Sequence, residues 1–378
     1  NWMNGFTMSA QYLHIVSFNI PYPADYGGVI DIYHKVKALS EAGIRIILHC
    51  FQYGRQHSKE LEDLCFRVHY YTRKQGMKYF FHSDPYVVVT RNANTMPNNL
   101  LKDSFPVLFE GLHSTGMLLR CAQARKLTLV RAHNIEHVYY RGLAHTTRNP
   151  FHKIFFRSEA AKLKRFEKIL GHADHILSIA RHEADYFREK YGHAHFIPAF
   201  HKFEEVRSIS GSGTYILFHG NLGVVENSEV CLSLARKLLS RIPYQVVVAG
   251  KNPSERFRKT LDRYTNIELH ADPSDQQLDQ LIAQAHINLL ITKQASGIKL
   301  KLLHALHAGK HCLVNPEMVE GSGLQDLCSV ASNDAELEPL IHKLMLQAFD
   351  ESQIRKRKKA LQDYSNRAGA EKILRLLA

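Results

Sequence analysis

The chain has 378 residues, enough for two domains and more than one ordinary hydrophobic core holds. Hydrophobic residues at 45% and charged residues at 22% exclude a disordered or fibrous chain, and no apolar run nears the roughly 20 residues that span a bilayer. Lys plus Arg, 49, against Asp plus Glu, 36, leaves +13, which suits an anionic partner: nucleic acid, phosphorylated ligand or acidic lipid surface. Six cysteines (Cys50, Cys65, Cys121, Cys231, Cys312, Cys328) stand far apart with no Cys-x-x-Cys pair. Reduced, buried thiols in a cytoplasmic protein are expected, without a zinc site. Asn1–Thr7 has neither the basic nor the apolar region of a secretory signal, and a start at Met8 is expected.

Short apolar strands alternate with helical patterns, which predicts an α/β fold with parallel sheets. Tyr12–Phe18 reads as the first strand, followed by Gly27 and Gly28 in a loop and a helix over Ile30–Ala42. Gly43 stops that helix, and Ile44–Phe51 is the next strand. Val107–Glu110 and Leu127–Ala132 continue the half, then a basic helix over Phe151–Leu170 and a strand at His175–Ile179. The pattern restarts at Tyr215–His219 and runs through Tyr244–Ala249, Ile267–His270, Ile287–Ile291 and His311–Val314. The expected domains are 8–199 and 214–352, joined by a linker over 200–213 with Pro before it and Gly-Ser-Gly at its end. A basic helical segment, 353–378, either caps the second half or crosses back to the first. Two Rossmann-like halves leave a cleft at the carboxyl ends of their strands, where ligands bind in such sheets.

Four segments carry candidate chemistry. Pro21–Gly28 places paired glycines between strand and helix, where backbone can approach a ligand or simply turn. Its spacing matches neither a dinucleotide fingerprint nor a phosphate-binding Gly-Lys-Ser/Thr loop. Arg131–His137 follows a strand directly, so His133 can hydrogen-bond a substrate hydroxyl, or else belong to a helix cap with Asn134. His133 and His137 have the i, i+4 spacing of a metal pair, but no third ligand stands nearby, and metal binding is not expected. Lys293–Gly309 ends a strand with a small polar loop and opens an apolar helix. Lys299 and Lys301 near its start ask for a compensating anion, such as a diphosphate. Phe218–Gly223, with Asn227 beyond, is a glycine loop at the place in the second half that Pro21–Gly28 holds in the first.

Together these segments resemble glycosyltransferase family four, whose members have the GT-B fold and use nucleotide sugars. PYPADYGGVIDIYHKVKALSEAG is similar to its acceptor-side glycine loop and first helix, HNIEHVYYR to its HN-x-E segment, and FEKILGHADHILSIARHEADYF to its end-of-domain helix and strand. FHGNLGVVEN, VVVAGKNP and SGIKLKLLHALHAGKHCLVNPEMVEGSGL look like its successive donor-domain motifs. The resemblance covers Tyr12 to about Leu324, in order. It implies a metal-independent, retaining hexosyl transfer without a cofactor, from a nucleoside-diphosphate sugar to a glycan or lipid-linked acceptor. His133 and Lys299 would be catalytic. Gly27, Gly28, Gly220, Asn221, Lys251, Ser296, Gly297, Ile298, Lys301 and His304 would bind the donor, and Asn134 with Glu136 would face the acceptor.

The sequence departs from the family where a Glu-x7-Glu pattern is usual: Ser296 and His304 stand at those positions. The usual arginine and lysine after the first donor-domain strand are also replaced, by Asn221–Val225, leaving Lys251, Lys299 and Lys301 for the diphosphate. Rival readings are a nucleotide-sugar 2-epimerase using Glu110, Glu136 and His113, and a non-catalytic GT-B partner protein. Nucleic-acid binding has no recognition motif behind it. Residues 148–168 interleave basic residues with aromatics, among them Phe151, Phe155 and Phe156, either as a surface-lying segment on an anionic membrane or as an ordinary sheet-covering stripe. Relatives that build lipid-linked glycans point to the cytoplasmic face of the inner membrane.

Overall fold

Strands buried on both faces read as nearly continuous apolar runs, and the central strands of this chain do so apart from a few buried polar residues, among them His14, Glu110, Arg131 and Asn288. The computed structural model describes residues 11–147, 149–293 and 300–378. Seven parallel strands form a first sheet: β1 (Tyr12–Ser17), β2 (Arg45–Gln52), β3 (Arg67–Thr72), β4 (Val107–Glu110), β5 (Thr128–Ala132), β6 (His175–Ser178) and β7 (Ala194–Phe196). Their order is β3-β2-β1-β4-β5-β6-β7. Six more form a second sheet: β8 (Tyr215–His219), β9 (Gln245–Gly250), β10 (Ile267–Ala271), β11 (Ile287–Leu290), β12 (His311–Val314) and β13 (Ser329–Val330), in the order β10-β9-β8-β11-β12-β13.

In each sheet the strand order reverses beside the first strand, between β1 and β4 and between β8 and β11. Connections leave to opposite sides there, which opens a crevice at the carboxyl ends. The first helix, Gly27–Glu41, buries Ile32, Val36 and Leu39 against the sheet. Gly43, at φ 88°, takes the left-handed turn that carries the chain into β2.

Three strands were not foreseen, β3, β7 and β13, all at sheet edges. β3 is half-exposed and polar, and the other two span three and two residues, too short for a pattern. The basic helix forms over Pro150–Phe166, and the chain then tightens into a 3₁₀ turn, Glu167–His172. The chain divides into one unit of residues to Lys202 plus Asp363–Ala378, and a second of Phe203–Gln362. Residues 353–378 are therefore shared: helix Glu351–Leu361 belongs to the second unit, and helix Asn366–Leu377 to the first. Ala370, Ile373 and Leu377 of that last helix join the core around Ile32 and Phe200. A β-carbon on Gly369 would lie 2.8 Å from the Phe200 ring, so the helix sits flush on it.

Candidate functional site

At the carboxyl edge of the first sheet, five ionisable side chains from three elements meet. Helix Gly27–Glu41 supplies Asp31 and Lys35 one turn apart, β4 ends in Glu110, and β5 leads through Arg131 to His133. Arg131 forks onto Asp31 with Nε to Oδ2 at 3.0 Å and Nη2 to Oδ1 at 2.8 Å, and its remaining donors reach the carbonyls of Ile197 and Pro198. The Lys35 ammonium stands 2.8 Å from Asp31 and 2.9 Å from Glu110. Burial works to raise the Asp31 carboxyl, but Arg131 and Lys35 outweigh it and hold it well below the ordinary value.

His133 closes the cluster, with Nε2 3.2 Å from Glu110 Oε2. A carboxylate there selects the tautomer that donates from Nε2 and leaves Nδ1 to accept. The Phe18 ring meets His133 edge-on at 5.7 Å and keeps Gly28 small: a β-carbon there would lie 2.7 Å from Phe18 Cζ. Nothing crowds Gly27 within 4 Å. Asp31, Glu110 and His133 hold ligand atoms within 4.8 Å of one another, the spacing of a metal site. The Lys35 ammonium already occupies the position between the carboxylates, so a divalent ion would face it at close range.

Beyond His133, Asn134 precedes the helix Glu136–Thr146. Burial and the nearby Glu183 push the Glu136 carboxyl up to about 8, against Asn134 and Arg91, which favour its ionised form. His113 Nε2 lies 3.9 Å from it, and burial, with Arg91 and His133, holds that imidazole well below its ordinary value. His137 does not converge with His133. Its Nδ1 meets Glu167 at 3.0 Å, and Tyr186 also bonds that carboxylate. Beside the 21–28 loop, Tyr22, Arg55, His57 and Glu60 line a groove of about 660 Å³.

In the second unit the glycine loop after β8 lies against the end of β9. A β-carbon on Gly250 would fall 1.9 Å from the Gly220 carbonyl, so no side chain fits. Gly223 N–H and Leu222 N–H both donate to the Lys251 carbonyl, and Asn221 Oδ1 accepts from Gly223 N–H at 3.0 Å. The Lys251 side chain is exposed. Across the sheet, Glu226 accepts from Thr292 Oγ1 and Lys293 N–H, both at 2.7 Å, fixing the exit of β11. Ser296, Gly297, Ile298 and Lys299 lie outside the described residues. Lys301 and His304 follow on the helix Leu300–Ala308. His304 Nε2 stands 2.6 Å from Asp279, and its ring packs on Phe203 at 4.5 Å, both within the second unit.

Sequence reasoning missed Asp31, Lys35, Arg131, Asp279 and Glu226 as site residues. The available signal was Asp31 and Lys35 at i, i+4 beside the buried Ile32 and Val36. The aromatic stripe of helix Pro150–Phe166 also needs correction. Phe155 packs on Phe80 and Tyr86, and Phe156 on Tyr140, so these two turn inward. Phe151 and Ile154 stay 79% and 67% exposed, and Phe81, on the turn packed against this helix, 86%. Lys162 is tied to the Phe80 carbonyl and Glu159. Arg148 lies outside the described residues.

The two doubly wound parallel sheets define a GT-B fold. Solved structures share it along nearly the whole chain, among them HepE from Anabaena in complex with UDP and glucose (TM-score 0.65, 11% identity, 97% of this chain and 99% of that one). A glycosyltransferase from Rickettsia africae superposes with a TM-score of 0.64 at 13% identity, covering 98% of each chain. In sequence, the chain is 27% identical over 328 residues to an uncharacterised 44.6 kDa protein in the cps region of Klebsiella pneumoniae, covering 82% of this chain and 84% of that one. No protein-family profile matches.

Proposed function

We propose that this protein is a retaining glycosyltransferase that moves a hexosyl group from a nucleoside-diphosphate sugar to a glycan or lipid-linked acceptor. The observation that carries the reading is His133: a largely buried imidazole at the carboxyl end of β5, held through Nε2 by Glu110, with Nδ1 free to meet a sugar hydroxyl. The GT-B fold, and the HepE complex with UDP and glucose, support a nucleotide sugar as donor. In this reading His133 orients the donor sugar, and Gly27 lets backbone approach it. Charge builds on the leaving diphosphate and meets Lys301 with Ser296–Lys299, while the departing phosphate takes the acceptor's proton. A metal is not required, because ammonium groups perform that neutralisation. No cofactor beyond the donor enters.

The acceptor belongs with the groove beside Tyr22, Arg55 and His57, and with Asn134 and Glu136. The product is a cell-surface polysaccharide or glycoconjugate, made at the cytoplasmic face of the inner membrane. Six unbridged cysteines suit a reducing compartment. Among the described residues no helix is long and apolar enough to cross a membrane. Exposed Phe151, Ile154 and Phe81, flanked by Lys153, Arg157 and Lys164, are the surface for peripheral attachment to anionic lipid. Incubation with a bound nucleotide sugar and acceptor lipids should release nucleoside diphosphate and give a product with the donor's anomeric configuration. Inverted product would overturn the retaining mechanism, and binding without any release would favour the non-catalytic partner.

A further inference from the structure

His219, the last residue of β8, is 3% exposed, and its Nε2 has no hydrogen-bond partner. A buried imidazole nitrogen without a partner is costly to keep and calls for an explanation. Strand alternation puts His219 on the face of Tyr215 and Leu217, the face that packs against helices Asp275–Gln284 and Leu300–Ala308. The His304 ring stands 6.3 Å away, edge to face, and Lys301 lies one turn before His304. On helix Asp275–Gln284, Asp279 lies 2.6 Å from His304 Nε2.

We propose that His219 is a ligand of the donor's diphosphate, and that the nucleotide binds together with one proton, taken up at His219. This rests on the donor reading given above. The site replaces part of the positive charge that the loop Asn221–Val225 lacks. Before the ligand arrives, burial, His304 and Lys301 hold the imidazole well below its ordinary value, so it is neutral. A polyanion beside it reverses the balance: phosphate oxygens favour the protonated ring and accept from its Nε2–H. Between the free and bound pKa values each binding event consumes up to one proton, so affinity falls as pH rises, by up to tenfold per unit.

Calorimetry with UDP, GDP, ADP and TDP, each titrated at pH 8 in buffers of different ionisation enthalpy, tests this. At that pH the free nucleotides are already fully ionised. The expected result is a binding heat that depends on the buffer and reports proton uptake, lost in His219→Gln, together with affinity that weakens from pH 7 to 9 in the unmodified protein. Binding without buffer dependence and with flat pH response overturns the proton-coupled site and leaves the donor reading standing. Binding by none of the four overturns both. Unchanged uptake in His219→Gln, with its melting temperature preserved, also overturns the assignment; should that variant not fold, the pH series on the unmodified protein decides.

Discussion

Glu110 Oε2 lies 3.2 Å from His133 Nε2, while the same carboxylate group takes the Lys35 ammonium at 2.9 Å. One buried acid thus links the sheet, the first helix and the imidazole at the sheet's edge. Lys35 and Arg131 stand opposite Asp31 and Glu110, so two cations face two carboxylates in the cluster. Buried ion pairs of this kind add little net stability compared with apolar packing, but they fix geometry. Glu110→Gln should therefore keep nucleotide affinity while slowing transfer, on the order of a hundredfold, because the ring loses its preferred tautomer and position. His133→Ala should do the same more severely. Parallel loss of affinity and turnover, measured by calorimetry and nucleoside-diphosphate release, would mark both residues as structural.

Removing Asp31 exposes the cost of that cluster directly. Asp31→Ala leaves Arg131 and Lys35 buried without their shared acid, and should lower stability by about 3–5 kcal/mol in urea unfolding. The folded-state carboxyl lies below its unfolded value, so its contribution is present above about pH 4 and is lost as pH falls through the lower, folded value. The gap between the unmodified and Asp31→Ala proteins should accordingly narrow only in strong acid.

Glu136 has the opposite sign. Its folded carboxyl, pushed up to about 8, exceeds the unfolded value, so the unfolded chain ionises first and stability declines as pH rises from about 4.5 to 8. Glu136→Gln should remove the decline and stabilise the protein at pH 7, by at most about 3 kcal/mol. Near pH 4 the two proteins should unfold alike. A Glu136→Gln protein that is less stable than its parent at pH 7 would contradict the raised value.

Gly250→Ala would force a methyl group onto the Gly220 carbonyl, where 1.9 Å is available. The loop after β8 must move or the strand must bend, at about 1–3 kcal/mol for such overpacking. Nucleotide affinity should fall together with thermal stability. Retained affinity would separate the Gly220 loop from the donor site.

Attachment to anionic vesicles at low salt should depend on Lys153 and Lys164, which are not tied down as Lys162 is. Reversing both charges should reduce co-sedimentation, and added salt should do likewise. Binding to neutral vesicles at equal strength would show that charge plays no part.

Strands such as Tyr215–His219 and His311–Val314 are readable to the residue because both faces are buried and the run is apolar up to a histidine at one end. Edge strands were not, since half-exposed β3 has no such signature. His133 was legible from its place after a strand. Its support was not: Asp31 and Arg131 are 100 residues apart in the chain and meet only through the fold. His304 could be aligned to the family's glutamate, yet its pairing with Asp279 depends on two helices packing, which no single segment encodes.

The central claim is that the second unit binds a nucleotide sugar. Thermal unfolding with UDP-, GDP-, ADP- and TDP-sugars, each at saturating concentration, tests it most directly. A ligand at a hundred times its Kd stabilises the folded state by about 2.7 kcal/mol, a shift of several degrees. The account expects one nucleotide series to raise the melting temperature in the unmodified protein and in His133→Ala alike. No shift with any of the four would contradict it.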